Sequence, residues 1–211
     1  MKITYIGHSS FLLESSGGTR ILTDPFDNTT GYKVFREKVN VVTISHHHFD
    51  HDYTSELTCE NIIDKTGCFN FKDTSILGIP SYHDKAKGAK RGKNIIFIIE
   101  LDGYRVCHLG DLGHLLSDEQ LSKLKNIDVL FIPVGGNFTI DGKEAAKVAK
   151  SINPHLIIPM HYKTELLSFQ LDGLETFLRN IKNSENTGTN SIQLDKSLKE
   201  FNKVKILNYS I

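Results

Sequence analysis

Apolar residues in this chain come in short runs, rich in Ile and Val and closed off by Gly, Asp, Pro and Ser, which is the pattern of strands. The runs predict strands over Lys2–Ile6, Phe11–Glu14, Arg20–Thr23, Val41–Ser45, Ser75–Pro80, Ile95–Leu101, Tyr104–His108, Val129–Pro133, Leu156–Met160 and Val204–Leu207. Tight turns separate the first three, and "SSGG" at residues 15–18 is a hairpin signal.

A different period marks three stretches. "SDEQLSKLKN", "DGKEAAKVAKSI" and "DGLETFLRNIK" carry apolar residues three, four or seven apart, so each predicts a helix with one face on a core. Each also begins with a capping pair: Ser117 with Gln120, Asp141 with Glu144, and Asp172 with Glu175. Strand and helix alternate in the later half, while the early half is rich in hairpins. That mixture predicts an α+β arrangement in which helices cover sheets. Residues 183–191, "NSENTGTNS", predict a surface loop, and residues 1–211 read as a single domain with no linker or internal repeat.

Composition narrows the class. The 211 residues are 39% hydrophobic and 24% charged, which is ordinary for a globular protein. Lys plus Arg and Asp plus Glu number 25 each, so no net field draws the chain to nucleic acid or to a membrane. No apolar run approaches the ~20 residues that span a bilayer, and the N-terminus lacks a signal-peptide stretch. Cys59, Cys68 and Cys107 are few and not spaced as CxxC. A reducing cytoplasm is the expected location.

The candidate chemistry lies in "TISHHHFDHD", residues 43–52, directly after a buried-looking strand. A histidine-rich tract can be a solvated loop with weak metal affinity. Here His46 and His48 are two apart, on one side of an extended backbone, and Asp50 and His51 follow. Further His and Asp residues close later strands. Imidazole nitrogen and carboxylate oxygen are ligands for Zn, Mn and Fe, so the pattern favours a metal site.

His46-x-His48-x-Asp50-His51 resembles the signature of the metallo-β-lactamase fold superfamily, and His83, Asp111 and His161 follow in that family's order, each just past a predicted strand. "ITYIGHSSFLLE", "ILTDPF", "IPVGGNFTID" and "IPMHY" resemble its small ascorbate-phosphate-lactonase-like branch and the related metal-dependent hydrolases. The resemblance implies an αββα sandwich: two mixed sheets face to face with helices outside. It also implies two divalent cations, Zn first and Mn, Fe or Ni next. His46, His48 and His83 would hold the first, Asp50, His51 and His161 the second, and Asp111 would bridge them. A water between such cations becomes a nucleophile near neutral pH, with Asp50 orienting it or accepting its proton.

Four residues are candidates for substrate contact. His8 in "GHSS" would contact substrate or support a ligand, or else be an ordinary buried histidine. Arg91 belongs to the basic loop "HDKAKGAKRGKN", which is either solvated or receives an anionic group. His114 would line the pocket or cap the next helical region. Asn137 lies in a Gly-rich turn whose amides can approach a ligand. The expected function is hydrolysis of an ester, lactone or related bond in a small, anionic molecule. A phosphodiesterase is the nearest alternative, and a metal-binding or sensing module without turnover the alternative of another class. Neither nucleic acid nor membrane is an expected partner; self-association is open.

Overall fold

The first three apolar runs form an antiparallel meander, β1 (Lys2–Gly7), β2 (Ser10–Glu14) and β3 (Arg20–Thr23). The computed structural model describes residues 1–195 and 198–210. After the meander come β4 (Val39–Thr43), β5 (Cys59–Ile63), β6 (Gly67–Phe71), β7 (Thr74–Tyr82), β8 (Lys93–Leu101) and β9 (Tyr104–His108). The later half runs α1 (Asp118–Lys123), β10 (Val129–Pro133), α2 (Gly142–Ile152), β11 (Leu156–Met160), α3 (Glu175–Asn180), β12 (Ser184–Asn186), β13 (Ser191–Gln193) and β14 (Lys203–Ile206).

These strands make two mixed sheets, one ordered β13-β1-β2-β3-β4-β5 and the other β12-β14-β11-β10-β9-β8-β7-β6. Every strand predicted from the apolar runs is present. β5, β6, β12 and β13 are additional, and for a common reason. Each is short, three to five residues, without a long apolar run to announce it, and each lies at a sheet edge. The segment 183–191 is therefore not all loop: it holds β12 and the first residue of β13, which pair with β14 and β1.

The core between the sheets joins Ile3, Phe11, Leu13, Ile21 and Val41 to Phe97, Ile99, Val106, Phe131 and Ile158. Its centre is a stack of Phe11 on Phe131, with ring centroids 3.9 Å apart and planes 9° apart, spanning the two sheets. α1, α2 and α3 cover the outer face of the second sheet through Leu124, Ala145, Ala149, Ile152 and Phe177. The outer face of the first sheet is covered by loops instead, with Phe26, Tyr32, Leu167 and Leu171 packed on Leu12, Leu22 and Val42. The sandwich thus has α-helices on one side only among the described residues.

The capping pairs predicted for α1 and α2 both form as reciprocal boxes. The third does not. α3 begins at Glu175 with Leu174 as an N-cap that makes no side-chain bond. Asp172 is spent elsewhere, its amide donating to the Gly135 carbonyl and its own carbonyl accepting from Lys163 N–H. No helix among the described residues is long and apolar enough to cross a membrane.

One rim of this sandwich collects strand ends from both sheets. β3 and β4 run parallel, as do β9, β10 and β11, and β7 is antiparallel to β8, which is itself antiparallel to β9. Two backbone hydrogen bonds cross between the sheets there, Ile95 N–H to Ser45 O and His161 N–H to His8 O.

The Phe11–Phe131 stack is expected to be the stability centre. Phe131→Ala should lower the free energy of unfolding by about 3–5 kcal/mol, the range for a buried aromatic deletion, measured by urea titration of wild type and variant. A loss below ~1 kcal/mol would show that the two sheets pack without it.

Candidate metal centre

Each candidate ligand leaves a strand at the shared rim. His46, His48, Asp50 and His51 follow β4, His83 follows β7, Asp111 follows β9 and His161 follows β11 directly. His161 takes φ 51 and His8, in the β1–β2 turn, takes φ 51, so both leave the strand direction sharply and turn towards the same space. Gly110 has φ 55, and a Cβ there would collide with Asn94 Oδ1 and Ser45. Glycine is what lets the chain bring Asp111 this close to the first sheet.

The carboxylate of Asp111 is the focus. Its Oδ2 lies 3.1 Å from His161 Nε2, 3.2 Å from His83 Nε2, 3.4 Å from His51 Nε2 and 3.9 Å from His46 Nε2. Donor atoms of His46, His48 and His83 lie within 4.8 Å of one another on one side; those of His8, Asp50, His51 and His161 do so on the other. The structure thus brings all seven sequence-predicted ligands together, with Asp111 between the two groups. Several of their polar atoms are buried without a hydrogen-bond partner among the described residues: His46 Nε2, His51 Nε2, His83 Nδ1, His161 Nδ1 and Asp111 Oδ1. A buried polar atom left alone costs free energy, and two tight groups of His and Asp donors on either side of one carboxylate are the donor chemistry of a cation site.

Asp24 orients part of this set. It is fully buried, and its Oδ1 accepts from Ser45 N–H at 2.8 Å. Its Oδ2 accepts from Ser45 Oγ at 2.6 Å and from His51 Nδ1 at 2.9 Å. Because Ser45 Oγ gives its proton to Asp24, it accepts from His46 Nδ1 at 2.9 Å. Both bonds place a proton on Nδ1, so His46 aims an Nε2 lone pair at the cluster, and His51 would do the same once a cation displaced the proton that the neighbouring carboxylates hold on its Nε2. Burial lowers the His46 pKa to about 2, helped by the charge on His51, so His46 stays neutral and able to ligate. Burial would lower that of His51 too, but Asp111 and Asp50 outweigh it and raise it well above its ordinary value. Burial would raise the pKa of Asp111, yet His161 and His51 hold it well below the carboxylate range, so it stays ionised. Asn94 completes the support: its Oδ1 accepts from Asp111 N–H at 2.9 Å, while its Nδ2 donates to Ser81 Oγ and the Leu109 carbonyl.

The four residues expected to meet substrate separate. His8 is fully buried, with Nε2 3.0 Å from Asp50 Oδ2, so it stands among the donors and lines neither of the two cavities beside them. Arg91 does line two cavities that also share His48. His114 corrects the expectation: its Nε2 accepts from Tyr82 N–H at 3.2 Å and its Nδ1 donates to the Leu115 carbonyl at 2.8 Å, so both nitrogens hold backbone. The Asn137 side chain is likewise engaged by backbone. Exposed and at φ 54, it donates from Nδ2 to the Gln170 carbonyl at 2.8 Å, tying two loops together. Asp24 and Asn94 are the residues that the sequence did not single out. "ILTDPF" reads as strand and turn, and Asn94 as the end of a basic loop; only the three-dimensional hydrogen bonds reveal them.

The arrangement, strand ends of two facing sheets closing on an HxHxDH cluster, defines a class. The beta-lactamase superfamily domain family matches residues 2–161, and the chain belongs to the metallo-beta-lactamase superfamily. More narrowly, a metal-dependent hydrolase of Carboxydothermus hydrogenoformans is 30% identical over 78% of this chain and 85% of its own. One from Pyrococcus furiosus is also 30% identical, over the same shares. A crystal structure from Thermotoga maritima, assigned to the Zn-dependent hydrolases of the superfamily, is 40% identical with a TM-score of 0.84 and covers 99% of both chains. This places the chain among the metal-dependent hydrolases of that superfamily.

The Asp24 network carries a test. Asp24→Asn removes the carboxylate that fixes the His51 tautomer, and metal affinity is expected to fall by about 10–100-fold, the usual cost of losing such a partner. Competition with a chromophoric chelator measures it. An unchanged affinity would leave Asp24 with a packing role alone.

Proposed function

We propose that the chain is a dinuclear metallohydrolase that cleaves an ester, lactone or related bond in a small, anionic substrate. One observation carries this reading: a buried, ionised carboxylate, Asp111, between two groups of three or more His and Asp donors. His46, His48 and His83 form the first donor group, and Asp50, His51 and His161 the second, with His8 against Asp50. The set is all nitrogen and oxygen, which suits Zn, Mn, Fe or Ni; the buried Cys107 lies in the core, outside these groups. Two such cations would polarise a carbonyl and acidify water between them.

The chain's own groups then have distinct tasks. Asp111 balances the positive charge. Asp50 takes a proton or orients the attacking water. Burial would raise its pKa, but the charge on His51 and the hydrogen bond from His8 hold it below the carboxylate range, so it is ionised when needed. His48 is exposed at the mouth, where substrate enters. The adjoining cavities measure about 280 and 710 Å³, the scale of a small molecule. Arg91 on their shared wall supplies a planar cation for a carboxylate or phosphate.

Elemental mass spectrometry of untagged, reconstituted protein tests the scheme. Wild type is expected to hold about two equivalents of metal. Asp111→Ala should hold fewer and hydrolyse esters no faster than the chelated protein. Full turnover by Asp111→Ala, or no bound metal in wild type after reconstitution, would overturn it.

A further inference from the structure

The smaller cavity, about 280 Å³, is lined by His48, Phe49, Asp50, Arg91, Phe138 and Phe169. Two of these are donors of the cluster. The other four are three phenyl rings and one guanidinium, an unusual wall beside so polar a site. Phe49 stands between His48 and Asp50 in the chain and is 54% exposed, its edge against Phe169 with centroids 5.8 Å apart. Phe169 in turn meets the His8 ring at 5.8 Å and 83°. Exposed phenyl surface next to buried donors gains free energy when an apolar group covers it.

Arg91 is built into this wall. The loop after His83 winds around Asp84, whose carboxylate accepts from the amides of Ala86, Gly88, Lys90 and Arg91 at 2.7–3.0 Å. The amide of His83 itself donates to the Gly92 carbonyl, so the Arg91 backbone is held at a set place relative to the cluster. Its Cζ lies 4.5 Å from the Phe138 ring centroid. The chain has five arginines. Arg20, Arg36 and Arg105 reach glutamates, and Arg179 reaches the Glu175 carbonyl and Thr176. Among the described residues, the Arg91 guanidinium alone has neither a hydrogen bond nor an ion pair.

The geometry points to a substrate with a flat apolar group, a phenyl ring or its equivalent, packed between Phe49, Phe138 and Phe169, and with a carboxylate or phosphate that pairs with Arg91. A dry apolar cavity of about 150 Å³ already holds benzene, so this one takes a ring and a short anionic arm but no second ring. The reaction such a substrate undergoes rests on the hydrolase reading above; the binding does not.

Ligand-observed fluorine NMR tests the binding, with metal-reconstituted protein and again after chelation. The probes are para-fluorophenylacetate, fluoroacetate, para-fluorobenzyl alcohol and para-fluorophenylphosphonate. The aromatic acid is expected to bind about tenfold or more tightly than fluoroacetate. Phe49→Ala and Phe138→Ala should each erase most of that preference, and Phe49→Ala, which does not touch the Arg91 support, should leave fluoroacetate unaffected. Phe49 is more than half exposed, so its removal spares the core. In the chelated protein, Arg91→Gln should weaken the acid or the phosphonate by about tenfold and leave the alcohol unchanged. Whichever of the two anions binds better identifies the group Arg91 takes; no advantage of either over the alcohol would overturn its role. Equal binding with and without the ring, or a ring preference that survives both Phe changes, would overturn the cavity assignment. Methyl phenylacetate and methyl acetate as substrates separate the two readings. Equal kcat/KM for both keeps the hydrolase and removes the aromatic cavity, whereas ring-selective binding with no hydrolysis by metal-loaded protein keeps the cavity and removes the esterase.

Discussion

The rest of the structure depends on the burial of one ionised carboxylate. Taking the charge of Asp111 out of water costs several kcal/mol unless the surroundings return it. The return comes from four imidazoles, supplied by β4, β7 and β11 ends that are far apart in the sequence. No single sheet could provide that shell. The two sheets must close on each other at one rim, and the Phe11–Phe131 stack between them holds that closure from below. Core packing and site chemistry are thus one problem, solved at two depths of the same sandwich.

Three buried carboxylates share this rim, yet their environments assign them different work. Asp24 has both oxygens engaged: three donors from Ser45 and His51 occupy it, and what it returns is direction, since those bonds decide which imidazole nitrogen faces inward. Asp111 keeps Oδ1 unpartnered and its other oxygen among imidazoles, which is a position for balancing cations. Asp50 is at the margin, next to His8 and the cavity, where a proton can be exchanged with something that enters. A carboxylate's role here follows from how many of its lone pairs the fold has already filled.

The same distinction explains what could be read from the sequence. His46, His48, Asp50 and His51 are legible because their spacing is local, and His83, Asp111 and His161 because each ends a strongly apolar strand. Asp24 and Asn94 are not, because their function consists of bonds to residues about twenty positions away, while locally Asp-Pro reads as a turn and Asn as a loop. His114 shows the reverse error. It follows a ligand closely in sequence, but Gly113 packs directly on the His83 backbone and the chain turns, so its ring is used up on Tyr82 and Leu115. The edge strands escaped for a similar reason: β12 has three exposed residues and is held by backbone pairing with β14 and a surface ion pair from Glu185 to Lys203. What alternation and spacing encode is visible in the sequence; what a long-range hydrogen bond encodes is not.

The division of labour within the HxHxDH segment follows from strand geometry. Side chains that alternate along an extended chain put His46 and His48 towards the cluster and leave His47 to the exterior, where it meets Asp52 and Asp64. Phe49 would be expected to share the fate of His47. It does not, because the chain is already turning, as the His51 N–H to His48 carbonyl bond records, and the turn swings the phenyl ring over the cavity mouth beside Phe169. The segment that supplies the polar donors therefore also supplies the first apolar surface a substrate meets. Phe138 and Phe169 come from loops that follow β10 and β11, and Arg91 from the loop that follows β7. The strand ends carry the chemistry common to the rim, and the loops just beyond them carry the selection of what reaches it.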